Sequence, residues 1–190
     1  MSAPAEVSWA PISLSETWED DVTPDEHAAL AVLFARCFPY SRTPFTGFRS
    51  WSSGRPELRL IGRDGPRIVA HLGILRRFVR AGEASLLLGD VGLVAADPSV
   101  QGNGVGAELL ARAATTLRGL GMPFGFLTCG EAVAAFYERG GWVRVPNPTR
   151  MVRADGQVQV YDGASMVLPV WSPMEDWPAG EKIDRNGLEV

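Results

Sequence analysis

The sequence predicts a mixed α/β (α+β) fold: one mixed, mostly antiparallel sheet with helices on both faces. Three observations predict it. A capped amphipathic helix is written into residues 23–38. Three strand-like runs follow, 58–62, 68–79 and 86–95, joined by hairpin-length connections. From Leu86 onward strand and helix signals alternate through 86–95, 105–118, 124–129, 131–139 and 142–145. The 190 residues suit a single domain over 1–190 with one sizeable core.

Each element has a local reason. Thr23 can cap the first helix, Pro24 suits its first turn and Glu26 completes a capping box. Leu30, Leu33, Phe34, Cys37 and Phe38 recur at helical spacing, and Pro39 ends the run. Residues 40–57 read as loop, with Pro44, Gly47, Gly54 and Pro56. Their aromatics, Tyr40, Phe45, Phe48 and Trp51, are too apolar for a solvated loop and are expected to pack on the core or line a pocket. Asp64-Gly65 and Ala81-Gly82 turn the first hairpins, and Asp155-Gly156 turns a later one. Val105, Leu109, Leu110, Ala113 and Leu117 form one stripe of a helix that Gly119 and Gly121 stop. Residues 166–170 are the last clear strand. Residues 1–22 read as irregular, and 171–190 as a tail closing over the domain.

Composition narrows the function classes. Lys+Arg is 18 against 22 Asp+Glu, a net charge of −4, which argues against a nucleic-acid partner. No apolar run reaches the roughly 18 residues of a membrane span. Residues 1–11 show no basic stretch followed by an apolar one, so a cytoplasmic protein is expected. Two cysteines, Cys37 and Cys129, make no disulfide framework and suit a reducing compartment. His27 and His71 are too few and too far apart for a metal site, and His27, near a helix start, is expected at the surface.

The chemistry-bearing stretch runs from Val91 to Gly106. A strand enters a loop with the pattern Gln101-x-x-Gly104-x-Gly106, and a helix starts at once. Glycines let a ligand approach the backbone, and a helix mouth offers unpaired N–H groups and partial positive charge. Together they make a pyrophosphate seat. The spacing alone also fits a plain strand-to-helix turn. It is neither a G-x-G-x-x-G fingerprint nor a P-loop, since no Gly-Lys-Ser/Thr follows.

Asp97-Pro98 before the loop and Ala134-Ala-Phe-Tyr-Glu-Arg-Gly-Gly-Trp142 after it make the segment similar to the GNAT superfamily of acyl-CoA-dependent N-acyltransferases. That resemblance implies a sheet split by a V-shaped opening. It also implies that the backbone of Gln101, Gly102, Asn103, Gly104, Val105 and Gly106 holds the pyrophosphate of coenzyme A. Val94, Ala95 and Ala96 would lie along the pantetheine arm. More of the chain resembles the NodA family of nodulation N-acyltransferases: Ser50-Trp51, 55–59, 69–78, 123–126 and the segment from Asp176 to Gly187. The implied reaction transfers an acyl group from a thioester to the free amine of an amino sugar. The donor is acyl-CoA or acyl carrier protein, and no cofactor is permanently bound. A looser likeness to aminoglycoside 2′-N-acetyltransferases keeps acetyl-CoA and an aminoglycoside open as alternatives. A non-catalytic acyl-CoA-binding module is the third reading. Monomer and homodimer both remain open.

The catalytic candidates are Asp90, Tyr137 and His71. Asp90, four residues before Val94 and so expected on the same strand face, is a candidate base; the alternative is an Asp satisfied by an arginine. Tyr137, protonated at neutral pH, is the candidate acid for the departing thiolate, with Phe136 beside it filling the core; the alternative is a Tyr137 that packs with Phe136 against the core. His71, on a central strand, is either a second base or a satisfied core histidine. Trp51, Asp176, Trp177 and Asp184 are the candidate acceptor contacts, the last three with a plain closing strap as the alternative. Arg76, Arg77 and Arg80 read as a solvated strand end or as a dock for carrier protein or coenzyme phosphates. The acidic run Glu16, Glu19, Asp20, Asp21, Asp25 and Glu26 reads as a solvated helix entrance or as a patch that attracts a cationic amino sugar. Cys129 lacks a paired histidine nearby in sequence, and direct transfer needs no acyl-enzyme.

Overall fold

The computed structural model describes residues 12–41, 44–153 and 155–190. The first strand, β1 (Ser13–Trp18), pairs antiparallel with β2 (Leu58–Asp64). This corrects the irregular start expected for 1–22 over its described part; 1–11 lie outside the described residues. Only Leu14 and Trp18 are apolar in β1, so the period-two signal is too thin to read; the ladder of β2 supplies the strand. Helix α1 (Pro24–Cys37) carries the full capping box between Thr23 and Glu26 and buries Leu30, Leu33 and Phe34.

The other elements are β3 (Arg67–Ala81), β4 (Ala84–Ala96), α2 (Val105–Gly119), β5 (Phe124–Cys129) and α3 (Glu131–Arg139). They are followed by β6 (Val143–Val145), β7 (Thr149–Val152), β8 (Val158–Val160), β9 (Ala164–Pro169) and β10 (Ile183–Leu188). Among the described residues one ten-stranded sheet runs β6-β9-β5-β4-β3-β10-β7-β8, with β1 and β2 on the other half of β3's edge. β3 is long enough to serve two partners, β2 through residues 67–74 and β10 through Arg80 and Ala81.

Alternation along β3 and β4 sorts the core into faces. On one face Leu72, Ile74 and Val91 join Leu109, Ala113 and Leu117 of α2 and Ala134 of α3. On the other, Leu93 and Ala95 meet Leu30 and Phe34 of α1. Farther along that face Val79, Leu88, Phe124 and Phe126 pack under Ile183, Met174 and Trp177. Residues 171–190 therefore only partly form a closing strap. Trp177 covers the sheet, but β10 lies within it, antiparallel to β3 and parallel to β7.

Two features of β4 shape the centre of the molecule. It pairs with β5 only at Gly89↔Gly125 and Asp90↔Phe126, and beyond those pairs the strands part, leaving a V-shaped opening. Between the pairs Gly73↔Gly92 and His71↔Ala95, two residues of β4, Leu93 and Val94, oppose the single Leu72 of β3. This β-bulge puts Leu93 at φ 50°, a left-handed conformation costing roughly 1–2 kcal/mol for a non-glycine residue. It also reverses the in–out alternation. Asp90 and Val94 consequently lie on opposite faces, where plain strand spacing had put them on the same one.

Candidate active site

A cavity of ≈ 1040 Å³ occupies the opening between β4 and β5. One wall is β4 from Val91 to Ala96 and the mouth of α2; the other is Leu127 to Cys129 of β5 with Phe136 and Tyr137 of α3. At the mouth of α2, Gly104 adopts φ 85° as N-cap and Gly102 φ 82°, and added Cβ atoms at either would meet only open space. The positive φ bends the chain so that the backbone N–H groups of Gly102 to Ala107 have no backbone acceptor among the described residues. Gln101 Nε2 donates to the Ala96 carbonyl at 2.9 Å and ties the loop to the end of β4. Val94, Ala95, Ala96, Gln101, Gly102, Gly104, Val105 and Gly106 all line the cavity; Asn103 is exposed beside it and does not.

Tyr137 lines the cavity from α3, edge-on to Phe136 and Trp142. Burial pushes its phenol far above the ordinary value, so it holds its proton at neutral pH. Burial also raises the Cys129 thiol to about 11, which keeps it a thiol rather than a nucleophilic thiolate.

Asp90 is displaced from its expected role. It is fully buried, does not line the cavity, and pairs with Arg185 of β10 and Arg77 of β3, both at 3.0 Å. Burial raises its carboxyl against the pull of the two guanidinium groups, which hold it as an ionic partner. His71 is likewise a core residue. Its Nδ1 donates to the Leu93 carbonyl at 2.8 Å, and its Nε2 accepts from Arg59 Nη1 at 3.2 Å. Burial, then the neighbouring Arg59, pushes its pKa well down, so the ring is neutral with both nitrogens engaged and none left to act as a base. Its work is to pin the bulge: Glu19 holds Arg59, Arg59 holds His71, and His71 holds Leu93.

The expected acceptor contacts do not line the cavity either. Trp51 packs edge-on to His27 with Arg55 over its ring. Trp177 stacks on Phe126 and meets Phe124 edge-on. Asp176 is exposed on a single 3-10 turn. Asp184 pairs with Arg150 at 2.6 Å and accepts from the Asn186 N–H. His27 is buried, not at the surface, with Nδ1 2.7 Å from Ser50 Oγ. The basic run is not a free patch, because Arg76 pairs with Glu57 at 2.5 Å and Arg77 with Asp90. Within the acidic run, Glu19 is buried between Arg55 and Arg59. Of the loop aromatics, Phe45 reaches both core and cavity, Tyr40 lines the cavity although 96% exposed, and Phe48 does neither.

The cavity instead recruits residues that no local pattern marked. Ser52, Thr128, Tyr161 and Glu189 share its wall, joined by Cys37, Phe38 and Pro39 at the end of α1 and by Arg139 of α3. Thr128 and Glu189 are tied directly, Oγ1 donating to Oε1 at 2.8 Å. The backbone of Val190 packs so closely on Gly92 that a Cβ there would collide with it. Thr128 lies two residues beyond the last β4–β5 pair, a position that only the sheet pairing marks, and Glu189 had no sequence signal at all.

Solved structures share this architecture. A GNAT family acetyltransferase from Brucella melitensis in complex with acetyl-CoA superposes with a TM-score of 0.57 at 19% identity, covering 88% of this chain and 93% of its own. A GNAT family N-acetyltransferase from Escherichia coli in complex with CoA gives 0.60 at 13% identity, covering 92% and 91%. The split sheet with its glycine-bearing helix mouth is the GNAT fold. No helix among the described residues is long and apolar enough to cross a membrane. Sequence comparison narrows the class. The family model for nodulation protein A (NodA) matches residues 6–190, and a nodulation protein A from Mesorhizobium plurifarium is 37% identical over 187 residues, covering 91% of this chain and 95% of the relative. The chain belongs to the NodA family.

Proposed function

We propose that the protein transfers an acyl group from a thioester, carried by coenzyme A or by acyl carrier protein, to the free amine of an amino sugar by direct attack. One observation carries this reading. A single cavity joins an N–H-rich helix mouth, suited to a diphosphate, to an apolar arm of Cys37, Phe38, Pro39, Tyr40 and Phe45 through the opening between β4 and β5. The N–H groups of Gly102 to Ala107 would hold the phosphates, and the backbone of Val94 to Ala96 would run beside the pantetheine arm. The apolar arm gives room for a chain longer than acetyl. Tyr137, kept protonated by burial, donates to the sulfur as the C–S bond breaks. Much of the acceleration comes from holding amine and thioester together.

A polycationic aminoglycoside is a poorer fit. Glu189 is the one acidic side chain among the described residues lining the cavity, and Arg139 adds a positive charge. The test is a mass-spectrometric screen offering acetyl and long-chain thioesters, on coenzyme A and on carrier protein, against chitooligosaccharide amines and aminoglycosides. Transfer to the sugar amine is the expected result. Acetyl transfer confined to an aminoglycoside would overturn the assignment.

A further inference from the structure

With Asp90 and His71 withdrawn into the core, the cavity needs another group to take the proton that the amine loses. An ammonium cannot attack a carbonyl, and the nitrogen sheds a proton as the C–N bond forms. Among the described residues the cavity lining holds no histidine, no aspartate and no lysine. It holds one acidic side chain.

We infer that Glu189 is the catalytic base of this transferase, receiving the acceptor's proton at the opening of the split; the inference rests on the acyl-transfer reading above. Three observations place it there. Gly92 and Thr128 each lie two residues beyond the last pairs of their strands, Asp90↔Phe126, on the two arms of the V. Glu189 is bonded to Thr128, while Val190 packs on Gly92, so residues 189–190 bridge the arms where a thioester carbonyl would lie. The backbone is fixed as well, since Gly54 N–H donates to the Glu189 carbonyl at 2.5 Å.

The carboxylate is oriented rather than neutralised. Oε1 takes the Thr128 hydroxyl and lies 3.3 Å from Arg185 Nη1. Oε2 takes no hydrogen bond among the described residues, and the side chain is 40% exposed. One oxygen is thus anchored and the other is available to an ammonium. Arg185 is also shared with Asp90, which divides its charge between two carboxylates. The other titratable or charged groups on the cavity wall are Cys37, Tyr40, Cys129, Tyr137, Arg139 and Tyr161, and behind Arg185 lie Asp90 and Arg77.

The step balances. The amine nitrogen attacks the thioester carbon, the C–N bond forms, and one N–H proton passes to Glu189 directly or through a water. The tetrahedral intermediate collapses, the C–S bond breaks, and Tyr137 gives its proton to sulfur. The proton on Glu189 then restores Tyr137 through the solvent in the cavity, leaving amide and free thiol.

The experiment compares wild type with Glu189→Gln in the intact chain. Coenzyme A affinity by calorimetry and melting temperature should be unchanged, while kcat with an amino-sugar acceptor falls about 10²-fold or more, the usual scale for a lost base. With hydroxylamine, a nucleophile already unprotonated at neutral pH, the loss should be much smaller. A purely structural role predicts equal losses with both acceptors. Should Glu189→Gln fold poorly, Glu189→Asp, which keeps the charge, must retain a measurable rate and the same contrast between acceptors. An unchanged rate for Glu189→Gln, or equal losses with both nucleophiles, overturns the inference. If wild type itself transfers to no amine, the failure lies in the proposed reaction and not in Glu189.

Discussion

The two walls of the cavity are assembled in opposite ways. The wall at the mouth of α2 is nearly continuous in sequence, from Val91 through Ala107, and its geometry follows from local signals: a strand, a glycine-bearing loop and a helix start. The wall around Glu189 gathers Ser52, Thr128, Tyr161 and Glu189 from four distant segments. It is held by β10, whose Arg185 reaches Asp90 at the centre of the sheet. A site built on a local motif is legible in the chain, whereas one built by long-range pairing exists only after folding.

The sharpest way to break the contrast is to cut the long-range anchor. Arg185→Ala leaves the buried Asp90 with Arg77 alone and should destabilise the protein by about 3–5 kcal/mol in urea denaturation. A loss under about 1 kcal/mol would mean that this wall does not depend on the central ion pair. Next comes the chemistry of the β5–α3 side. Tyr137→Phe should lower turnover about 10²-fold with coenzyme A affinity unaltered, and an unaffected rate removes the phenol from the mechanism.

A smaller effect tests the local wall. Gly104→Ala at φ 85° strains the helix mouth by roughly 1–2 kcal/mol. Calorimetry should show coenzyme A binding weakened about tenfold; unaltered affinity would mean that the mouth does not hold the diphosphate. The smallest concerns His71. Its folded-state pKa is depressed, so the unfolded chain binds the proton more readily. The stability this gives is present above the unfolded value near ~6.5 and is lost as pH falls below it. Chemical denaturation between about pH 6.5 and 5 should show that decline, and His71→Gln should flatten it; identical slopes would show that the ring does not stay neutral in the fold.

Much of the fold was legible because its signals are short-range. Thr23, Pro24 and Glu26 start α1, Asp64-Gly65 turns β2 into β3, and the stripe from Val105 to Leu117 makes α2. The same locality made the loop from Gln101 to Gly106 readable as a glycine-bearing helix mouth, whereas Tyr137 was singled out by the GNAT resemblance of residues 134–142. Asp90 misled because strand parity assumes an unbroken ladder. One extra residue at Leu93–Val94 turned Asp90 to the opposite face from Val94, where Arg185 and Arg77 neutralise it. Trp177 and Asp184 misled because aromatic and acidic side chains serve packing and surface pairing as readily as sugars.

The sequence by itself determined the order of elements from α1 to β6, the helix mouth and its unpaired N–H groups, because capping, turn chemistry and hydrophobic period act over a few residues. The tertiary structure alone decided which acidic group reaches the cavity. Residue 189 meets residue 128 only because β10 enters the sheet beside β3 and the chain then crosses to β5, and no local pattern encodes a pairing over that separation.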